Sequence, residues 1–394
     1  MVSTVRTAPE PWWEGSMDAY DMPAMGVEEE LLLVDAATLA AAPGAPAVLK
    51  HCASAPGAAG RFSAEITTLQ VETKSAPHRH ARALGGELLA LRRTVARAAE
   101  REGLRVVASG LPVLGDVVPP PLTEGERFAE GMATYRALHD EMSMCAFQVH
   151  VDIPDLPRAL DVGNRLRPWL PVLLAMAANS PYFAGRDTGY ATWRALAWGR
   201  WPVAGPPPYF HSPAHYEDVL GALAESGALV DRGTVFWDVR PSARLPTLEV
   251  RVADMTGTAA ESAFLAVLVR ALVTVALREA ERGEPAPAPS AEVLRAAYWR
   301  AARDGLDGMG LDVATGRAVP APLLAERMVA YARPALVRHG DADLVETGLR
   351  WLLRHGCGAA RQRAAAAAAG SLAGAVRWLA AQTGAEGFPD PGRR

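Results

Sequence analysis

The sequence predicts an α+β fold: an antiparallel sheet with helices segregated to one side, followed by a helical C-terminal third. Three observations point there. Strand-like runs are few and widely spaced, and the last third shows helical periodicity throughout. Regular βαβ alternation is missing, as are the GxGxxG and GxxxxGK(S/T) loops of phosphate-cradling α/β folds.

Residues 1–20, with "TAPEPWWEG", read as an irregular arm. Met25–Val34 is the first expected strand, ending in the apolar run Leu31–Val34. Strands are also expected at Leu69–Thr73, Leu104–Ser109 and Cys145–Ile153. Thr234–Val239 and Thr247–Ala253 read as a hairpin around a Pro/Ser/Pro turn. Apolar residues recurring at helical spacing place helices at Arg79–Glu102, Arg127–Met142, Leu156–Asn179, Ala259–Arg282, Ala291–Arg303 and Ala321–His339. Further helical segments run from Ala342 to Gln382, one of them the alanine-rich "RQRAAAAAAGS". "RGEPAPAPSAE" is a Pro-rich connector with Ser290 as the expected N-cap. The expected organisation is an arm (1–20), one domain (21–384) and a flexible tail (385–394).

The chain has 394 residues, half of them hydrophobic, which is enough for a sizeable core. A net charge of −4 speaks against a nucleic-acid or membrane partner. Only Lys50 and Lys74 are lysines, so recognition of phosphate or carboxylate must rest mainly on arginine forks. The three cysteines, Cys52, Cys145 and Cys357, show no CxxC spacing and suggest neither a disulfide framework nor a zinc site. With no basic-then-apolar leader pattern and no apolar run of membrane-span length, a cytoplasmic protein is expected.

Carboxylates on strands carry the chemistry. Side chains alternate on a strand, so Glu28 and Glu30 share a face while Glu29 points away. An exposed strand end explains the run; so does a pair of hard oxygen ligands for Mg²⁺. In "RFSAEITTLQVETKS", Glu65 and Glu72 meet only if the segment starts as a helical turn and becomes strand near Leu69. In "CAFQVHVDIPD", Gln148, His150 and Asp152 line one face. In "FWDVRPSARLPTLEVRVADM", Asp238 and Arg240 share a face on one strand, and Glu249 and Arg251 on the next. Surface ion pairing accounts for this last pattern as well as acids for metals and arginines for phosphates do. Four such segments together suggest a metal–nucleotide cradle.

The segments "GVEEELLLVD", "LQVETKSAP", "QVHVDIPD", "ANSPYFAGRDTGYATWRALAWGRWPVAGPPP" and "WDVRPSARLPTLEVRVAD" occur in the order seen in the carboxylate–amine ligases. That family is also called glutamate–cysteine ligase type 2, and the resemblance covers roughly residues 24–383. It implies the catalytic fold of glutamine synthetase, a curved antiparallel sheet forming a funnel with metals at its neck. It also implies ATP-driven phosphorylation of a carboxylate, in its best-known form the γ-carboxylate of glutamate, and attack by an amine to give an amide. The expected partners are therefore an amino acid and an amine. The expected cofactors are ATP and two or three Mg²⁺ ions, with Mn²⁺ as an alternative. By this resemblance Glu28, Glu30, Glu65, Glu72, Gln148, His150 and Glu249 look like metal ligands. Arg251, facing the reacting phosphate or carboxylate, and Glu72 take catalytic roles. Arg186, Asp187, Arg194 and Arg200 are the substrate-binding set, and Arg240, Arg361 and Arg363 the nucleotide-binding set.

Gln148 stands where the family commonly has His, Asp152 where it has Gly, and Cys357 where it has Asn. These departures suggest a specialised member using an amine other than cysteine. A non-catalytic amino-acid or nucleotide scaffold and a carboxylate kinase are the competing readings. The full acidic set, Glu28, Glu30, Glu72 and Glu249, favours catalysis. A symmetric homodimer is the base-rate expectation for assembly.

Overall fold

The computed structural model describes residues 21–115, 118–141 and 143–388. The expected arm, and residues 389–394 of the expected tail, lie outside these. The chain begins with β1 (Met25–Asp35), α1 (Ala45–Cys52), β2 (Phe62–Ala64), β3 (Gln70–Lys74), α2 (Ala81–Arg101) and β4 (Leu104–Val107). It continues with α3 (Glu126–Tyr135), β5 (Ala146–Asp152), α4 (Leu156–Leu166), α5 (Leu170–Ala177), β6 (Tyr182–Phe183) and β7 (Arg186–Asp187). Next come α6 (Trp193–Trp198), β8 (Ala204–Gly205), α7 (Pro213–Glu225), β9 (Phe236–Trp237), β10 (Val239–Pro241) and β11 (Thr247–Asp254). The rest is α8 (Ala259–Glu281), α9 (Ala291–Asp304), β12 (Met309–Asp312), β13 (Arg317–Pro320), α10 (Ala321–His339), α11 (Ala342–His355), α12 (Gly358–Ala369) and α13 (Leu372–Thr383).

The main sheet runs β10–β11–β5–β1–β3–β2, with β4 also paired to β1, and every pairing in it is antiparallel. Its apolar face, with Val27, Leu31 and Leu33 on β1 and Phe147, Val149 and Val151 on β5, joins one core with α8 and the C-terminal helices. The α+β reading holds. Most helices sit behind the sheet, but α3 and α6 wall its other face and help to enclose a cavity there. Helix α8 is long and apolar enough by composition to cross a membrane, which corrects the expectation that no run reaches that length. It is buried along most of its length as the central core helix.

Several boundaries move for local reasons. The helix expected over Leu156–Asn179 is broken into α4, a 3₁₀ turn at Arg167–Trp169, and α5. Pro168 and Pro171 have no N–H to continue the ladder. The helix expected from Arg127 ends at Tyr135 and passes into a 3₁₀ turn, Arg136–Glu141, while Met142 lies outside the described residues. The expected strand Thr234–Val239 is divided as well. Thr234 closes a 3₁₀ turn, β9 pairs in parallel with β8, and only β10 joins the hairpin with β11. The C-terminal third is not all helix, because β12 and β13 form a hairpin within it. Its turn closes through Gly316 N–H on the Asp312 carbonyl at 2.8 Å, with Gly316 at φ +67. Of the expected tail, Phe388 stacks on Trp351 and Glu386 pairs with Arg93.

Candidate active site

Register decides which acids meet, because antiparallel partners project to the same face. Glu30 pairs with Glu72, and Glu28 with both Lys74 and Gln148. His150 pairs with Glu249, and Glu249 with Arg240. One face of the sheet therefore collects Glu28, Glu30, Glu72, Gln148, His150, Arg240 and Glu249. Arg251 lies where the β11–β5 register shifts between Val250 and Ala253, an irregularity of the kind that re-aims side chains beside active sites. Glu65 arrives differently from expectation. No helical turn precedes β3; Glu65 follows β2 directly, and a bend and turn over 65–69 bring the chain back into β3.

These side chains line a cavity of about 590 Å³, within the usual range for small-molecule sites. Glu30, Glu65 and Glu72 each bring a carboxylate oxygen within 4.8 Å of the others. Glu30 accepts from the Ala146 amide at 2.7 Å and from the Gln148 side chain at 2.9 Å. Glu72 accepts from Ser63 Oγ at 2.6 Å and meets Lys74 Nζ at 2.7 Å. Beside this trio, Glu28 Oε1 stands 3.8 Å from His150 Nε2, while His150 Nδ1 meets Thr247 Oγ1 at 2.9 Å. Glu249 is gripped by Arg240 at 3.0 Å and faces Arg251 at 3.7 Å.

Burial and crowding of like charges set the electrostatics. Burial raises Glu65 well above the ordinary carboxylate range, and the charges of Glu72 and Glu30 add to it. Burial, joined by the Glu28 charge, pushes Glu72 up to about 7. Burial also raises Glu30, against the pull of the Ala146 amide and the Arg251 charge. Glu28 goes the other way. Burial opposes its ionisation, but His150 and Lys74 overcome that and hold it at about 2. A trio of crowded carboxyls all pushed towards holding their protons is a site short of positive charge, and its donors are the hard oxygens that Mg²⁺ takes. His150 Nε2 is buried without a hydrogen-bond partner next to it. The residues present thus fit a divalent cation.

Glu29, the odd glutamate of its run, projects to the helical side. There Arg92 of α2 holds it in a two-pronged pair, Nε to Oε2 at 2.9 Å and Nη2 to Oε1 at 2.8 Å. Both side chains are wholly buried.

The arginines divide. Arg194, Arg240 and Arg251 reach the cavity, whereas Arg186, Asp187, Arg200, Arg361 and Arg363 stand apart from it. Asp187 is exposed on β7 and forks onto Arg363 at 2.8 and 2.7 Å. Arg361 pairs with Glu261, which caps α8, and lies 4.5 Å over the Trp351 ring behind the sheet. Arg200 is exposed on the turn after α6, and Arg186 is exposed on β7. The "NSP" and "RQR" motifs are tied to each other rather than to the cavity. Asp254 accepts from the Asn179 amide at 2.7 Å, Ser180 Oγ at 2.7 Å, Thr192 Oγ1 at 2.9 Å and Arg194 Nε at 2.7 Å. Gln362 donates to Asn179 Oδ1 at 2.8 Å. Asp238, expected beside Arg240, is buried outside the cavity lining, and burial raises it to about 6. Cys357 packs in an apolar cluster with Ala178, Ala191 and Ala359.

This buried network explains a glycine. A Cβ on Gly358 would sit 2.1 Å from Asn179 Oδ1. Gly358→Ala should therefore lower stability by about 1–3 kcal/mol, read as a drop in Tm. An unchanged Tm would show that Asn179 is free to move.

Lys74, one of two lysines and two residues from Glu72, also lines the cavity, although the sequence-based expectations give it no role. An aromatic wall lines it too, likewise outside those expectations. Tyr135 and Trp201 have ring centroids 4.3 Å apart, and Trp198 and Phe236 4.9 Å. Arg251 lies 5.7 Å over Trp198 and 5.2 Å over Phe236, so these rings help to aim its guanidinium. The repeated tryptophans of "WRALAWGRW" were the available signal.

A family model described as glutamate-cysteine ligase family 2 matches residues 24–379. A relative from Nocardia farcinica, provisionally named glutamate–cysteine ligase 2-1, is 43% identical over 375 residues, covering 94% of this chain and 96% of its own length. A relative from Saccharopolyspora erythraea with the same provisional name is 44% identical over 339 residues, covering 86% of this chain and 89% of its own. Among solved structures, a glutamate–cysteine ligase from Francisella tularensis, crystallised with AMP, superposes with a TM-score of 0.70. It is 12% identical, with coverage of 94% of this chain and 90% of that one. A bifunctional glutathione synthetase from Pasteurella multocida gives 0.67 at 15% identity, covering 92% of this chain and 52% of that one. At such identities these two establish the fold.

Proposed function

Because the chain belongs to glutamate–cysteine ligase family 2, we propose that it is an ATP-dependent carboxylate–amine ligase working on the acidic face of its sheet. The carrying observation is the convergence of Glu30, Glu65 and Glu72 within 4.8 Å, in one cavity with Arg240 and Arg251. ATP gives its terminal phosphoryl group to an amino-acid carboxylate, an amine attacks the acyl phosphate, and phosphate leaves with an amide formed.

Glu30, Glu65 and Glu72 would hold one divalent cation. Glu28, His150 and Glu249, with Gln148 beside them, would hold more, for two or three in all. Mg²⁺, or Mn²⁺ in its place, supplies charge neutralisation of the phosphates when bound. Arg251, aimed by Trp198 and Phe236, faces the transferred group, and Arg240 offers a second guanidinium to phosphate oxygens. The buried wall keeps water from the acyl phosphate, which would otherwise hydrolyse. Gln148, in the cavity where the family commonly has His, supports a specialised acceptor amine other than cysteine. One continuous core joining the sheet to the C-terminal helices supports a single catalytic unit over residues 21–384, with the acids at the neck of a funnel. A cytoplasmic setting would supply ATP, and a homodimer remains the base-rate assembly.

The test is incubation with ATP, Mg²⁺ and a panel of amino acids and amines, assaying ADP and new amides by mass. ADP with a new amide is expected. A phosphorylated carboxylate without amide would mark a carboxylate kinase. No turnover together with no nucleotide binding would mark a scaffold.

A pH dependence follows from Glu72, held at about 7 against an ordinary 4.5. The folded chain binds this proton more tightly than the unfolded chain. Its contribution to stability is therefore complete below 4.5 and is lost as pH rises through about 7. Cations compete with these protons, so the rise in Tm on adding Mg²⁺ should be small at about pH 5 and largest at about pH 8. Equal shifts at both pH values would refute metal binding at this trio.

A further inference from the structure

Six cationic side chains, those of Lys74, Arg127, Arg194, Arg240, Arg244 and Arg251, line the cavity. Five are committed to carboxylates. Lys74 meets Glu72 at 2.7 Å, Arg127 meets Asp231 at 2.7 Å, Arg194 meets Asp254 at 2.7 Å, and Arg240 and Arg251 share Glu249 at 3.0 and 3.7 Å. Among the described residues Arg244 alone of the six has no acidic partner.

Its backbone is nonetheless fixed. Arg244 sits in the loop joining β10 to β11, the two strands that carry Arg240, Glu249 and Arg251. The buried Ser242 Oγ accepts from the Arg244 amide at 3.4 Å and the Leu245 amide at 3.3 Å. Ser242 N–H donates to the Thr247 carbonyl at 2.9 Å, and Thr247 N–H to the Leu245 carbonyl at 2.8 Å. The loop holds its shape while the Arg244 side chain stays exposed at the rim.

Two of the three substrates of the proposed ligase, the nucleotide and the amino-acid carboxylate, are anions, and the cavity floor is a crowd of carboxyl groups. Beyond Arg240 and Arg251, whose charges Glu249 already offsets, Arg244 offers an anion a cation that no carboxylate cancels, and a guanidinium fork matches carboxylate and phosphate alike. We propose that Arg244 is the anion anchor at the cavity mouth, taking a carboxylate or phosphate oxygen of a bound substrate and so selecting what enters. The proposal rests on the ligase reading and names a binding residue for it.

The experiment compares wild type, Arg244→Gln and Arg244→Lys by calorimetric titration with Mg·ADP and with L-glutamate, alongside Tm. Arg244→Gln should weaken one of the two about tenfold or more, the scale of a lost charge-assisted hydrogen bond. Arg244→Lys should restore part of that loss, and Tm should not move. Weakened Mg·ADP assigns the anchor to phosphate; weakened glutamate assigns it to carboxylate. Affinities for both that match wild type overturn the anchor and leave the ligase standing. Wild-type protein that binds neither overturns the ligase reading and this assignment together.

Discussion

Glu29→Ala is expected to destabilise the protein by about 3–5 kcal/mol, because it strands the Arg92 guanidinium in the core. The surroundings leave that charge no other acid. Besides Glu29, Arg92 donates to the carbonyls of Gly257 at 3.0 Å and Thr256 at 3.1 Å, and to Ser262 Oγ at 3.0 Å. Those are neutral acceptors. One buried side chain thus ties together β1, α2 and the start of α8, three elements far apart in sequence. The measurement is the shift in urea midpoint and Tm. The double variant Glu29→Leu/Arg92→Met should lose less than either single change, since removing both charges removes the desolvation penalty with the attraction. If Glu29→Ala shifts stability by under about 1 kcal/mol, the pair is not what closes this part of the core.

Glu65→Gln should do the opposite to stability while abolishing function. Glu65 is pushed up by burial and by the charges of Glu72 and Glu30, so its charge works against the fold when no cation is present. Removing it should raise the Tm of metal-free protein at about pH 8 and raise it less at about pH 5, since a raised carboxyl costs the fold progressively more as pH climbs above the ordinary carboxylate range. The same change takes a hard donor from the trio. The Mg²⁺-induced Tm shift should shrink, and ATP-dependent turnover should fall by about a hundredfold or more, the scale of a lost electrostatic stabiliser. Glu28→Gln should likewise abolish turnover without unfolding the chain. Retained activity in either variant would move the metal away from this face. A Glu65→Gln protein less stable than wild type without metal would show that the trio is not under charge strain.

Much of this was legible in short stretches. The alternation of "VEEEL" separated Glu28 and Glu30 from Glu29 before any partner was known, because a strand turns successive side chains to opposite faces. It did not name Arg92, which comes from α2. The order of the family motifs indicated the fold class, though not the β12–β13 hairpin in the C-terminal third. Those motifs did not say which residues face the cavity, and four of their arginines stand outside it. Arg361, Arg363, Arg186 and Arg200 lie in the motifs because they fasten helices and loops or sit at their edges. Arg244 and the rings of Trp198, Trp201 and Phe236 line the cavity without having been singled out. Glu65 was expected on a helical turn and came instead from a bend, since a seven-residue separation from Glu72 does not say how the chain returns.

By itself the sequence determined the α+β class, the shared face of Glu28 and Glu30 on the first strand, and the family. These depend on local alternation and on motif order, which a linear string carries. Only the tertiary structure decided that Glu30 lies across from Glu72, that Glu249 is shared by two arginines, and that Arg244 is left without an acid. Those facts depend on strand register and on packing between distant segments, where a shift of one residue would send each side chain to the other face of the sheet.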